Sequence, residues 1–273
     1  MAIVLALSCA LAWGISDFIG GLWSRRQGPW VVAFVVQAGA LVSTALVALM
    51  AGQPISPTDA AWALVAGLGA GAGTALLYRG LARGSMGVVA PMSAVTAALV
   101  PMTIGIATGE RPGAWAVAGI CLALPAIWLI SADTREQGRG GTWDGLWSGL
   151  GFGIYFLGSG QIEPDNALTP LALIQAVAFV PIVLLAFMRR EPLLPRSRSA
   201  WTVLWIGPLV AAANAAFLWA VDLGQLVITS VLASLYPAVT VALAALALHE
   251  RIRRWQAVGL ALAGLAVVLI SVP

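Results

Sequence analysis

Almost the whole chain is a succession of apolar runs, each about as long as a helix needs to cross the hydrocarbon core of a bilayer, with most charged residues in the short joints. A helix needs about 20 apolar residues to cross that core, so each run reads as a transmembrane α-helix. Ten runs are legible, at about 3–23, 30–50, 60–78, 85–108, 113–132, 143–161, 168–188, 201–221, 225–248 and 255–272. The joints carry the usual punctuation, as in Arg25-Arg26-Gln27-Gly28-Pro29, Gln53-Pro54, Glu163-Pro164-Asp165 and the stretch from Arg189 to Arg198. Trp23, Trp30, Trp62, Trp115, Trp143, Trp201 and Trp255 fall at run ends, where an amphipathic ring suits the headgroup layer. The expected fold class is an all-α integral membrane protein of ten transmembrane helices.

Composition closes off the alternatives. At 60% hydrophobic and 9% charged residues, the chain lacks the polar surface a soluble domain shows to water. Its basic residues are all arginine, and because they sit in the joints they report membrane orientation rather than a nucleic-acid surface. Cys9 and Cys121 lie within apolar runs and read as small core residues, not as a disulfide or a metal site. The first run has neither a basic stretch before it nor a small-residue cleavage site after it, so it reads as a retained span.

The chain also repeats itself. Glu110-Arg111, Trp115, Gly119, Leu122-Ala123, Ala126 and Leu129-Ile130-Ser131 recur as Glu250-Arg251, Trp255, Gly259, Leu262-Ala263, Ala266 and Leu269-Ile270-Ser271, all at an offset of 140. Of the 22 positions from 110 to 131, 10 match. Fainter echoes pair Trp13-Gly14-Ile15 with Phe152-Gly153-Ile154, Gln37-Ala38 with Gln175-Ala176, and Gly67 with Gly207. The boundary falls in the polar joint Asp133 to Gly141, giving units 1–137 and 138–273 of five runs each. An odd number of spans turns the second unit upside down relative to the first, the inverted repeat of secondary transporters.

Five plus five spans, an early Trp-Gly, the Leu77-Tyr78 and Leu218-Trp219 ends of the third and eighth runs, and Glu-Arg before Trp-x-x-x-Gly resemble the EamA-type transporters of the drug/metabolite transporter superfamily. The resemblance runs the length of the chain and is most specific around residues 110–119 and 250–259. It implies a multi-pass carrier of a bacterial-type cytoplasmic (inner) membrane, with a central cavity between inverted repeats, exporting amino acids, amines or related small metabolites. No cofactor is implied.

Asp17 is the sharpest candidate for chemistry. A carboxylate well inside a span costs roughly 3 kcal/mol on insertion scales, so it faces a wet cavity, pairs, or holds a proton. Trp13 lies four residues earlier on the same helical face. The functional reading makes Asp17 the site of a coupling proton or cation, or the contact for an amine-bearing substrate. The structural reading makes it a buried acid bonded to a neighbouring helix or reaching the interface near Arg25. The resemblance implies a small polar residue here in many relatives, so an acid marks a preference of this chain.

Polar and aromatic residues within the runs are scarce, and Gln37, Tyr78, Tyr155, Gln175, Asn214 and Trp219 join Asp17 and Trp13 as candidate lining of a substrate path, with Thr96, Gln161 and Tyr236 behind them. Their structural alternative is interhelical hydrogen bonding. Gln37 and Gln175 stand out because two amides at matched positions can approach one midplane site from opposite sides. Pro91 and Pro101 in the fourth run and Pro237 in the ninth suggest interrupted helices near the binding site, or simple shape-fitting. The Gly67, Gly69, Gly71, Gly73 ladder reads as tight helix packing, since no strand precedes it and no Lys-Ser/Thr follows. Glu110 and Glu250 read as interfacial anchors, and His249, the only histidine, as a surface residue.

With ten spans, 13 of the 14 arginines fall on the face opposite the termini and only Arg111 on the other. The positive-inside rule then puts the termini outside the cytoplasm, whereas the family resemblance implies termini inside. The function expected is secondary transport of a small molecule by alternating access. The competing reading is a non-transporting membrane scaffold or accessory subunit of a lipid-processing complex, which predicts a packed midplane. An enzyme is disfavoured because no acid pair, partnered histidine or metal constellation can be argued from spacing. The expected partners are a small-molecule substrate, a coupling proton or cation, and the lipid bilayer, with no nucleic acid; oligomeric state is not encoded in any recognisable pattern.

Overall fold

The computed structural model describes residues 1–82, 86–131, 140–163, 165, 167–195, 197–247 and 254–271. Regular structure among these residues is helical throughout. The order is α1 (Ala2–Gln27), α2 (Pro29–Ala51), α3 (Pro57–Ala82), α4 (Met86–Ala107), α5 (Ala114–Ser131), α6 (Gly140–Ser159), α7 (Leu168–Arg189), a 3-10 helix (Arg198–Trp205) that runs into α8 (Ile206–Asp222), α9 (Leu226–Ala233), α10 (Tyr236–Ala247) and α11 (Arg254–Ser271). Proline opens α2 and α3, where its missing N–H is no loss. Ser56 completes the start of α3: its hydroxyl accepts the Asp59 N–H at 3.0 Å and donates to the Asp59 carboxylate at 2.7 Å.

Six helices among the described residues are long and apolar enough to cross a membrane, and shorter apolar helices cover 92–107, 114–129 and 254–270. Glycines, Trp143, Trp147 and Asp144 dilute α6, which is not among the six. The run at 225–248 is divided into α9 and α10 just before Pro237, which can offer no N–H to the carbonyl one turn back. By contrast α4 passes unbroken through positions 91 and 101, so the expected matching interruption is present in one half only. Proline is tolerated in membrane helices when neighbours absorb the local change.

Packing relates the two halves. The helices carrying the clearest repeat, α5 and α11, lie against each other: a Cβ on Gly119 would meet Ile270 Cγ1 at 2.7 Å and the Ala266 carbonyl at 2.9 Å. Likewise α2 packs on α7, α3 on α6 as α8 does on α1, and α3 on α7 as α8 does on α2. The last correspondence holds at the level of single residues. A Cβ on Gly67 of α3 would meet Val177 Cβ at 2.6 Å, and one on Gly207 of α8 would run into the backbone of Gly39 and Ala40 on α2. Only glycine lets these helices come so close.

Side chains tie the loops as well. Gln53 donates to the Asp165 carbonyl at 2.8 Å, and the Thr169 hydroxyl donates to the Gln53 carbonyl at 2.8 Å. The Glu110 carboxylate accepts the N–H groups of Leu226 and Val227 at 3.2 and 3.0 Å, capping α9. Glu110, read from the sequence as an interfacial anchor, binds a helix start in the other half. Arg79, at the end of α3, is bonded through its guanidinium to Asp144 at the start of α6, with Nε to Oδ2 at 3.2 Å and a second, closer ion-pair contact. Trp115, Trp143, Trp201 and Trp255 are exposed as an interfacial position requires, but Trp30 is buried among Val31, Val35 and Ile206 and belongs to the core. Glu250, Arg251 and His249 lie outside the described residues.

Candidate functional site

Trp13 and Asp17 sit one turn apart on α1 and turn the same face inward, with Ser16 between them. The same i, i+4 spacing puts Thr74 and Tyr78 of α3, and Val210 and Asn214 of α8, on inward faces, and Phe152, Tyr155 and Phe156 do so from α6. Together with Gln37 from α2, Gln175 from α7 and Tyr236 from α10, these residues line one cavity of about 70 Å³, room for several waters. Three lining helices precede the joint at Asp133 to Gly141 and four follow it.

Direct bonds hold this lining in place. The Trp13 indole N–H donates to Asn214 Oδ1 at 3.0 Å. Its ring stacks on Phe156 at 5.6 Å between centroids and meets Tyr155 and Phe217 at 6.1 and 5.9 Å, a rigid aromatic wall. Gln37 Nε2 donates to the Gln175 backbone carbonyl at 2.8 Å and to its side-chain oxygen at 3.3 Å. Gln175 Nε2 and the hydroxyls of Tyr155 and Tyr236 are buried with no hydrogen-bond partner among the described residues. Tyr155 has Ser159 nearby and Tyr236 has Ser93 nearby, but neither pair reaches hydrogen-bond geometry.

Asp17 is half-buried, and no hydrogen bond or ion pair holds its carboxylate among the described residues. It lies within electrostatic reach of Tyr78 and Tyr236, and the Tyr78 hydroxyl packs where a side chain on Gly20 would be. Among the described residues no hydrogen bond or ion pair joins it to a neighbouring helix or to Arg25.

Seven of the eight expected site residues therefore meet at one cavity. Trp219 is the exception: it is 44% exposed, five residues beyond Asn214 and so about 140° round α8. The buried aromatic of this stretch is Phe217, which stands 140 residues after Leu77. Thr96 and Gln161 also lie outside the lining, while Tyr236 belongs to it. The sequence marked Phe152 only as an echo of Trp13 and did not single out Phe156 or Phe217, because an apolar residue in an apolar run carries no distinguishing signal; nor did it pair Arg79 with Asp144.

The EamA-like transporter family matches residues 1–132 and 144–272. The chain belongs to this family. A solved structure described only as a crystal structure of protein superposes on this EamA-like chain with a TM-score of 0.73 at 17% identity, covering 99% of this chain and 98% of that one. That similarity concerns the fold. Comparison with proteins of curated function gives no match. The protein is thus a multi-pass membrane protein of a transporter family.

Proposed function

We propose that this EamA-like protein is a secondary transporter that exports a small amine-bearing metabolite across a bacterial-type cytoplasmic membrane by alternating access. One five-helix unit, 1–137, rocks against its inverted copy, 138–273, around the cavity between them. The single observation carrying this reading is the Gln37–Gln175 contact, where matched positions of the two halves meet inside a cavity lined by both.

Ten membrane crossings are supported by the loop contacts. Numbering the crossings in order puts Gln53 with Asp165 and Glu110 with Leu226 on one face, and Arg79 with Asp144 and Gln27 with Ser197 on the other. All four contacts join ends that a ten-fold alternation puts on the same side. The recurrence of α3–α6 as α8–α1 and of α3–α7 as α8–α2 supports inversion. The arginine-rich face is assigned to the cytoplasm.

Asp17 is the proposed coupling residue, with Trp13, Gln37, Tyr78, Tyr155, Gln175 and Asn214 forming the path. A lipid-processing scaffold would want a packed midplane, and the cavity with its unpartnered polar groups argues against that role. The test is a thermal-shift screen of amino acids, amines, sugars and nucleosides, followed by uptake of the stabilising compounds into proteoliposomes. Saturable, protein-dependent uptake is expected; uptake no faster than in protein-free liposomes for every compound would overturn the proposal.

A further inference from the structure

Resting on the transporter reading, we infer that the cavity selects a small organic amine carried as a monocation, and rejects the corresponding amino-acid zwitterion. Charge is the first reason. Among the described residues, Asp17 is the only ionisable acid or base of the lining besides tyrosine, and no arginine lines the cavity. The nearest arginine in sequence to a lining residue is Arg79, beside Tyr78, and it is bonded to Asp144.

A monocation neutralises Asp17, whereas a zwitterion brings a carboxylate that meets no cation. An uncompensated ion in a desolvated site is strongly disfavoured. A broken helix often provides an anion site through free N–H groups at its second start. At the break before α10, Pro237 has no N–H and the Ala238 amide is spent on the Leu235 carbonyl at 2.9 Å, so neither position is free to hold an anion.

The walls give the second reason. Six of the sixteen described lining residues are aromatic: Trp13, Tyr78, Phe152, Tyr155, Phe156 and Tyr236. Ring faces attract ammonium groups and repel carboxylates. An ammonium also needs acceptors only, and the Tyr155 and Tyr236 oxygens are buried and unpartnered among the described residues, Tyr236 within electrostatic reach of the acid. The amides of Gln175 and Asn214 then serve neutral groups on the same molecule.

The experiment uses matched pairs that differ only by the carboxylate: phenethylamine with phenylalanine, and isoamylamine with leucine, near neutral pH where both amines are protonated. Binding is read by thermal shift and calorimetry on the full chain, and movement by proteoliposome uptake. Each amine is expected to bind at least about tenfold more tightly than its amino acid, and Asp17→Asn to abolish that preference. Equal or tighter binding of the amino acids, a preference that survives Asp17→Asn, or no binding of either class overturns the inference. If Asp17→Asn does not fold, the wild-type pairs decide alone. Amine-selective binding without protein-dependent movement would sink the transporter reading and leave the charge selection standing. Movement of amino acids without amine preference would do the reverse.

Discussion

The side-chain amide of Gln37 donates to both the backbone carbonyl and the side-chain oxygen of Gln175, at 2.8 and 3.3 Å, although the two residues stand 138 positions apart. The bonding is one-sided, since Gln175 Nε2 donates to nothing among the described residues. Gln37→Ala removes both bonds and should destabilise the protein by about 1 to 2 kcal/mol, while Gln175→Ala removes only the longer one and should cost less. Thermal denaturation of the two variants in detergent checks the order; an equal or reversed loss would contradict the geometry.

How much of this was legible in the sequence depended on the kind of signal. Asp17 and the two glutamines are polar residues in apolar runs, and the cost of putting them there points to a cavity or a partner without any fold in hand. Trp219 was misplaced by register: aligning Leu77-Tyr78 with Leu218-Trp219 uses an offset one residue longer than the 140 of the main repeat, and one residue turns a helix by about 100°. The Arg79–Asp144 pair could not be read because each charge, taken alone, looks like an ordinary joint residue. Glu110 was found for its place in the repeat, but its role as a cap for a helix in the other half is a tertiary fact.

The glycine contacts make a controlled comparison possible. Gly67→Ala puts a Cβ 2.6 Å from Val177 Cβ and 2.8 Å from the Ile174 carbonyl oxygen, and must push α3 from α7. An overpacked seam of this kind typically loses 1 to 3 kcal/mol. Gly264→Ala, on α11 with nothing within 4 Å of its new Cβ, should be neutral or stabilising by up to about 1 kcal/mol through helix propensity. Melting temperatures that fall equally for both would show that the α3–α7 approach is not as close as described.

Glu110 distinguishes a cap from an anchor. As the acceptor for the Leu226 and Val227 amides, it should lose roughly 1 kcal/mol on replacement by Ala, with Gln, which keeps an acceptor oxygen, losing less. A headgroup-solvated anchor would show no such order in thermal denaturation.

The proposed membrane orientation rests on the arginines, 13 of which share the face opposite the termini if the chain crosses ten times. A C-terminal reporter active only in the cytoplasm should therefore give background signal, and a periplasmically active one a strong signal. The opposite pattern would reverse the assigned orientation while leaving the fold intact.

Substrate counterflow in proteoliposomes bears most directly on transport by alternating access around the shared cavity. Vesicles loaded with an unlabelled amine identified by thermal shift should transiently concentrate the same labelled amine from outside, driven by exchange through one site that opens to either face in turn, and the Asp17→Asn protein should lose most of this overshoot. A labelled signal that only drifts to equilibrium at the rate of protein-free vesicles would contradict it.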